Sequence, residues 1–222
     1  EQQALLAASQ VSASSLKTAL KHGYIKSQKV SVYRDPLAHL EVEQSHSRTL
    51  TVAQEAVYEQ IAQALEEHQD QTFLLEGVTG SGKTEVYLQL MAKASQMGRG
   101  AILLVPEIAL TPQMVRQVKS RFQTGVAVLH SGLTNSQKYD EWRRIIRGQA
   151  TIVVGARSSI FAPISDLGLV IIDEEHETTY KQSDTPRYHA REVAIWRCHY
   201  HQAPLLLGSA TPSLESRSRA QV

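Results

Sequence analysis

Eight consecutive residues, Gly77–Thr84, have the types and spacing of a phosphate-binding loop. They match the pattern G-x-x-x-x-G-K-[ST] without a mismatch, as Gly77, Val78, Thr79, Gly80, Ser81, Gly82, Lys83 and Thr84. The glycines let backbone N–H groups close around an anion, and a following helix adds its positive N-terminal end. Lys83 is expected to reach the β- and γ-phosphates of a nucleoside triphosphate, with the Thr84 hydroxyl on Mg²⁺. A glycine- and serine-rich surface turn is the alternative.

A second candidate site follows the apolar run Leu169–Ile172, where Asp173 and Glu174 come next in the sequence. In open α/β sheets, ligands bind at the carboxyl ends of the strands, so both carboxylates are expected at that edge. Asp173 is predicted to coordinate Mg²⁺, and Glu174 to orient and deprotonate the water that attacks the γ-phosphate. A solvated acidic loop after a strand is the alternative.

These residues are held by a regular alternation of predicted strands and helices from residue 50 onward. The strands are Phe73–Glu76, Ala101–Val105, Val126–Leu129, Ile152–Val154, Leu169–Ile172 and Leu205–Leu207; the helices are Gln54–Glu67, Thr84–Met97, Pro112–Phe122, Gln137–Arg147, His189–His201 and one from Pro212. Apolar strands separated by amphipathic helices predict an α/β fold, with a parallel sheet covered by helices on both faces.

Charge and composition are those of a globular protein and exclude a transmembrane helix or an internal disulfide in this chain. The net charge is +1, and 42% of residues are hydrophobic, as in ordinary globular proteins. Residues 1–34 carry +4, residues 35–76 carry −8, and residues 77–222 carry +5, so two positive blocks could meet an anionic polymer. The apolar runs are too short for a transmembrane helix, and Cys198, the one cysteine, excludes an internal disulfide.

The chain is predicted to have three parts. Residues 1–37 suggest a helix, a turn, a second helix closed by Gly23 and a strand at Lys29–Tyr33, which is the pattern of a partial winged-helix domain. Its positive charge suits a DNA backbone, although such units also serve as protein-docking spacers. Residues 38–49 are predicted to be a polar linker, and residues 50–222 to form the nucleotide-binding lobe.

From Leu50 to Glu215, the chain resembles the first RecA-like lobe of a superfamily 2 helicase of the DEAH type. More narrowly, it is similar to the bacterial primosomal helicases that restart replication. The segments that carry this resemblance are Gly77–Tyr87, Val105–Gln113, Leu129–Leu133, Gly155–Phe161, Asp173–Glu177, Tyr180–Gln182, Arg187–Arg191 and Gly208–Ser213. The resemblance implies a RecA-like P-loop NTPase lobe.

The resemblance also assigns roles to residues outside the two acidic and glycine-rich motifs. Gln54 corresponds to a glutamine that recognises adenine, and His176 to a residue near the γ-phosphate. Ser209 and Thr211 correspond to hydroxyls that link hydrolysis to movement between lobes; a helix cap before Pro212 is the local alternative.

A stretch after the carboxylates interleaves aromatic residues with cations, a composition that suits single-stranded DNA. It supplies Tyr180, Lys181, Arg187, Tyr188 and Arg191 as candidate DNA-binding or coupling residues, and the resemblance adds Arg157 as a phosphate contact. An ordinary mobile loop is the alternative for this stretch.

By resemblance, the whole protein is expected to be an ATP- and Mg²⁺-dependent 3′-to-5′ DNA helicase that acts at stalled or recombination-generated forks in primosome assembly. The alternative is a nucleotide-gated DNA-binding scaffold that recruits replication proteins without processive unwinding. Expected partners are single-stranded and forked DNA, primosomal proteins and single-stranded-DNA-binding proteins, with no membrane, in the bacterial cytoplasm at the nucleoid. A second lobe and a zinc-binding part are expected elsewhere in the protein, so these residues alone should turn over ATP poorly.

Overall fold

The computed structural model describes residues 12–28 and 42–220. The chain divides into two compact units, residues 1–33 and 34–222. In the first unit, helix α1 (Ala13–Lys21) begins after Ser12, whose side chain accepts a hydrogen bond from the Ser15 amide. Gly23 follows with a φ of 72°, so the helix predicted to end there is confirmed. The other predicted elements of the winged helix lie outside the described residues, and that domain stays a prediction.

The second unit is built on six parallel strands. They are β1 (Thr72–Glu76), β2 (Gly100–Leu104), β3 (Val126–Leu129), β4 (Ile152–Gly155), β5 (Leu167–Ile172) and β6 (Leu205–Ser209). Their order across the sheet is β1-β6-β5-β2-β4-β3, and every described pair is parallel. All six predicted strands and the α/β fold are thereby confirmed.

Helices alternate with the strands and cover both faces of the sheet. They are α2 (Val52–Glu66), α3 (Lys83–Gln96), α4 (Pro112–Phe122), α5 (Asn135–Ile146), α6 (Ala190–His201) and α7 (Leu214–Arg219). Helices α2, α3 and α4 contribute to one buried cluster, and α5 and α6 to the other. No helix among the described residues is long and apolar enough to cross a membrane.

The apolar strands are continuous because each strand supplies side chains to two cores. In β2, Ala101 and Leu103 belong to one cluster, whereas Ile102 and Leu104 belong to the other. All four are completely buried. Successive side chains of a strand point to opposite faces, so a sheet covered on both faces needs apolar residues at every position.

The predicted start of the last helix needs correction, because its N-cap residue lies further along the chain than expected. The last helix begins at Leu214 and not at Pro212, because Ser213 is its N-cap and accepts a hydrogen bond from the Ser216 amide. The cap is therefore neither Ser209 nor Thr211. Four 3₁₀ segments were not expected from the sequence: Glu107–Ala109, Gln123–Gly125, Arg157–Phe161 and Thr178–Tyr180.

Candidate functional site

The phosphate-binding loop lies between β1 and α3, as predicted. Gly80 and Gly82 have φ values of 81° and 85°, a region that side chains other than glycine rarely adopt. A Cβ atom on Gly82 would also lie 2.4 Å from the Gln54 side-chain nitrogen. The ammonium of Lys83 donates to the carbonyl oxygens of Gly77 and Val78, so the lysine lies across the loop.

Gln54 is held at this loop by both ends of its amide. Its side-chain oxygen accepts a hydrogen bond from the Thr51 amide at 2.9 Å, in a capping box that starts α2. Its side-chain nitrogen donates to the carbonyl oxygen of Ser81 at 2.8 Å. Gln54 therefore connects the start of α2 with the phosphate-binding loop.

Asp173 immediately follows β5 and accepts hydrogen bonds from two buried tyrosines. The Tyr87 hydroxyl donates to its carboxylate at 3.0 Å, and the Tyr180 hydroxyl donates to its carbonyl oxygen at 2.6 Å. Burial raises the pKa of Asp173 above its ordinary value, and the Tyr87 hydrogen bond opposes that rise. Burial and the nearby Asp173 raise the pKa of both tyrosines, so both remain donors. Gly208 leaves the space that the Tyr87 hydroxyl occupies.

Glu174 and His176 connect the carboxylate segment with the last residue of β6 and the residues that follow it. Glu174 has a φ of 46°, a strained backbone conformation for a residue with a side chain. Its carboxylate lies 3.5 Å from the Ala210 amide and 3.6 Å from Nδ1 of His176. The same Nδ1 atom is 2.8 Å from the Ser209 hydroxyl, which accepts a hydrogen bond from the Thr211 amide. One chain of polar contacts thus joins Glu174 to Thr211.

A cleft of about 310 Å³ brings the two predicted motifs together. Its walls are Arg48, Thr79, Gly80, Gly82, Lys83, Thr84, Glu85, Gln117, Asp173 and Glu174. The oxygen atoms of Thr84 and Asp173 are ligands of the kind that Mg²⁺ prefers, and an open cleft leaves room for its waters. The residues present therefore fit a magnesium nucleotide.

The protein-family comparison covers most of the second unit. Residues 51–220 match the DEAD/DEAH box helicase family. The chain belongs to the DEAD/DEAH box helicase family. Within this family, it is 53% identical to the replication restart protein PriA of Bacillus subtilis. That alignment spans 210 residues and covers 95% of this chain. It is 45% identical over 216 residues to PriA of Synechocystis sp., which covers 96% of this chain. The predicted resemblance to replication-restart helicases is thereby confirmed.

The chain matches only part of the length of each relative. The chain spans 26% of the Bacillus subtilis relative and 25% of the Synechocystis relative. Among solved structures, RecG bound to a three-way DNA junction superposes with a TM-score of 0.56 and 27% identity. That match covers 77% of this chain and 22% of the RecG chain. The helicase fold predicted from the sequence is therefore confirmed for the second unit.

The third acid of the helicase carboxylate segment, Glu175, faces away from the nucleotide cleft and is buried. Its carboxylate accepts hydrogen bonds from the Ser213 amide at 2.7 Å and the Ser216 hydroxyl at 2.8 Å. The Arg191 guanidinium lies 3.4 Å from it and 2.8 Å from Glu215. Glu175 therefore connects β5 with α6 and α7, a role for which the sequence carried no separate signal.

Two predicted DNA-binding residues are not at the surface. Tyr180 is 1% exposed and Arg191 is 8% exposed. Burial contradicts a direct contact of these side chains with DNA, because the Tyr180 hydroxyl bonds Asp173 and the Arg191 guanidinium bonds Glu175 and Glu215. Their alternative role in coupling stays a prediction. Their polar ends satisfy buried partners, which composition alone does not reveal.

Of the other predicted DNA-binding residues, Arg157 lines a second cleft and contacts Lys181 and Tyr188. Arg157 donates to the carbonyl oxygens of Thr179 and Lys181, and its guanidinium lies 5.8 Å from the Tyr188 ring centroid. Phe161 meets the same ring edge-on at 5.0 Å. Lys181 and Arg187 are exposed. Arg157 therefore fixes the segment that carries the exposed cations.

This second cleft, of about 580 Å³, lies at the carboxyl ends of β2, β3 and β4. Its lining also includes residues to which the sequence interpretation gave no individual role, namely Glu107, His130, Ser131, Lys138, Trp142, Ser158 and Phe161. Apart from Lys138 and Trp142, which lie in α5, they follow predicted strands, and ligands of parallel sheets bind at that edge.

Proposed function

We propose that this chain is the ATP-binding lobe of a DNA helicase that reopens stalled or recombination-generated replication forks. The observation that carries the proposal is the cleft in which Lys83 and Thr84 face Asp173 and Glu174. The 53% identity to a replication restart protein supports the biological setting. The 3′-to-5′ direction, primosomal and single-stranded-DNA-binding partners, and a cytoplasmic location at the nucleoid belong to the same proposal.

Each residue of the cleft has a role that follows from its chemistry. Lys83 would leave the carbonyl oxygens of Gly77 and Val78 and bond the β- and γ-phosphates instead. Thr84 and Asp173 would hold Mg²⁺, which neutralises charge on the phosphates when bound. Glu174 would orient the attacking water and accept its proton. Gln54, fixed at the loop, would recognise adenine.

Binding of nucleic acid is proposed for the second cleft. Arg157 lines this cleft and contacts the backbone of Lys181, whose side chain is exposed. Arg187 adds exposed positive charge to the same segment, and Tyr188, next to Arg157, offers an aromatic surface for an unpaired base. RecG, which shares 27% identity, is bound to a three-way DNA junction in the superposed structure. Single-stranded or forked DNA is therefore the proposed ligand of this edge of the sheet.

The contacts of His176 support coupling between the nucleotide cleft and the end of β6. His176 is close to Glu174 at the nucleotide and to Ser209, the last residue of β6. A change at the γ-phosphate that moved Glu174 would therefore disturb the Ser209–Thr211 turn. We propose this chain of contacts as the route from hydrolysis to movement.

Nucleotide binding to the 222-residue chain is the first test. Calorimetry with Mg²⁺ and a non-hydrolysable ATP analogue should show one binding site, and Lys83→Ala should weaken binding at least about tenfold, since a charge-assisted contact is lost. Glu174→Gln should still bind the analogue, because that residue acts on water. Equal binding by wild type and Lys83→Ala would refute the proposed nucleotide site.

Fork unwinding by the full protein tests the helicase assignment. The Lys83→Ala and Glu174→Gln proteins should both lose ATP-driven unwinding of a forked DNA, although only the first loses nucleotide affinity. Retention of fork-restart activity in cells by a protein that cannot unwind would support the scaffold alternative and contradict the helicase proposal.

A further inference from the structure

The segment of residues 45–48, which precedes α2, is attached along its length to α3 and α4. The Ser45 amide donates to the carbonyl oxygen of Ser120 at 2.9 Å, and the hydroxyls of the two serines are 2.9 Å apart. Arg121 donates to the Ser47 hydroxyl at 3.1 Å and to the His46 carbonyl oxygen at 3.0 Å. Residues 45–48 of the predicted linker are therefore fixed to the lobe, and we call them the strap.

The end of the strap is fastened beside the phosphate-binding loop. The Arg48 amide donates to the Glu85 carboxylate at 3.0 Å, and the Arg48 carbonyl oxygen accepts from the Gln89 side chain at 2.7 Å. Glu85 immediately follows Thr84, and both of its oxygens are bonded by Arg121, at 3.1 and 3.2 Å. The side chains of Glu85 and Arg121 are only 14% and 9% exposed. Both polar groups of the Arg48 backbone are thus held at the start of α3.

The Arg48 side chain, in contrast, is exposed and lines the nucleotide cleft together with Lys83 and Thr84. Within the described part of the chain, its guanidinium has no hydrogen bond or ion pair. Guanidinium groups bind phosphate oxygens through two parallel hydrogen bonds. Binding of phosphate by an arginine is favoured when its backbone is fixed and its guanidinium is available, and Arg48 meets both conditions.

The charge of the cleft also favours a contact between Arg48 and phosphate. Without Arg48, its walls would carry Lys83 as a single cation against the three carboxylates of Glu85, Asp173 and Glu174. Arg121 already pairs with Glu85 from outside the cleft. Even with Mg²⁺ held by Thr84 and Asp173, a polyphosphate carries several negative charges and is attracted by a further cation in this setting.

We propose that Arg48 is a nucleotide-binding residue that contacts the phosphates of the bound nucleoside triphosphate, and that Glu85 positions it through the strap. This inference rests on the proposed nucleotide site and adds a contact that lies outside the phosphate-binding loop. It also gives the strap a function, since the segment carries one wall of the cleft.

Calorimetry with Mg²⁺ and a non-hydrolysable ATP analogue tests the inference on the 222-residue chain. Arg48→Ala should weaken the affinity about tenfold, as expected for loss of a charge-assisted contact, and Arg48→Lys should keep part of it. Arg147→Ala, which removes an exposed arginine at the end of α5, is the matched control and should bind as wild type does. Thermal unfolding should show Arg48→Ala and Arg147→Ala to be equally stable.

The role of Glu85 requires a double-mutant cycle. Glu85→Gln should weaken binding of the same analogue in the wild-type background but cause little further loss when Arg48 is already alanine. Additive losses would refute positioning by Glu85. If wild type binds the analogue and Arg48→Ala binds equally tightly, the inference is refuted while the nucleotide site stands. If wild type binds no better than Lys83→Ala, the nucleotide site itself fails.

Discussion

Arg191 pairs with Glu175, Glu192 and Glu215, and the different burial of Glu175 and Glu215 allows a sharp test of how burial sets the strength of an ion pair. Glu175 is completely buried, whereas the side chain of Glu215 is 72% exposed. The Glu215 carboxylate is nevertheless the closer one, at 2.8 Å against 3.4 Å. Distance alone predicts that Glu215 matters more, and burial predicts the opposite.

The structure gives the expected size of the two effects. Replacing Glu175 by alanine would leave the Ser213 amide and the Ser216 hydroxyl without their buried acceptor, and Arg191 without its buried partner. Breaking a buried pair in this way costs about 3–5 kcal/mol of unfolding free energy. For a domain of this size, that corresponds to a fall in melting temperature of roughly 6–20 °C. Glu215→Ala should cost much less, because water screens an exposed carboxylate.

Urea denaturation of the 222-residue chain, followed by circular dichroism, measures both losses on one scale. Glu175→Gln serves as a third variant, since it keeps the shape and some acceptor capacity and should lie between wild type and Glu175→Ala. A larger loss for Glu215→Ala than for Glu175→Ala would refute the reasoning from burial.

Three further predictions concern Glu85, which lines the nucleotide cleft, and the two tyrosines that bond Asp173. Gly208→Ala would place a Cβ atom 1.7 Å from the Tyr87 hydroxyl oxygen, so chemical denaturation should show a loss of about 1–3 kcal/mol or more, partly restored by Tyr87→Phe. Burial acts to raise the pKa of Glu85, but hydrogen bonds from Gln89, the strap and α4 outweigh it and hold the pKa below its usual 4.5. The ionised carboxylate therefore stabilises the fold above that pH, and the difference in unfolding free energy between wild type and Glu85→Gln should shrink as the pH falls from 7 to 3. Tyr180→Phe removes the hydroxyl that bonds the Asp173 carbonyl oxygen and should cost about 0.5–1.5 kcal/mol in the same denaturation assay, while calorimetry should still detect nucleotide binding.

The sequence was sufficient to predict the bounds of those elements whose terminal residues favour a start or an end. Helix α4 was predicted at its observed bounds, because Thr111 caps it and Pro112 occupies its first position. Strand β3 was likewise predicted at Val126–Leu129. In such cases the local chemistry and the tertiary structure favour the same boundary.

Side-chain direction was the part that the sequence could not provide. Tyr180 and Arg191 have the composition of a DNA-binding stretch, yet both are buried and bond neighbouring polar groups. Glu174 and Glu175 are adjacent and chemically identical, but only Glu174 lines the nucleotide cleft. Arg48 stood in a segment without helix or strand, and its place in the cleft depends on bonds to residues far along the chain.

The order of the strands has a consequence for how the site comes into being during synthesis. Strand β6 lies between β1, which leads into the phosphate-binding loop, and β5, which is followed by Asp173. In the described sheet, β1 pairs only with β6, although more than 100 residues separate them along the chain. The ribosome makes β1 first among the strands and β6 last, so the loop and the carboxylates are completed as one site only when β6 inserts between them. Nucleotide binding would then mark the end of folding of this lobe and could serve as a reporter of its co-translational completion.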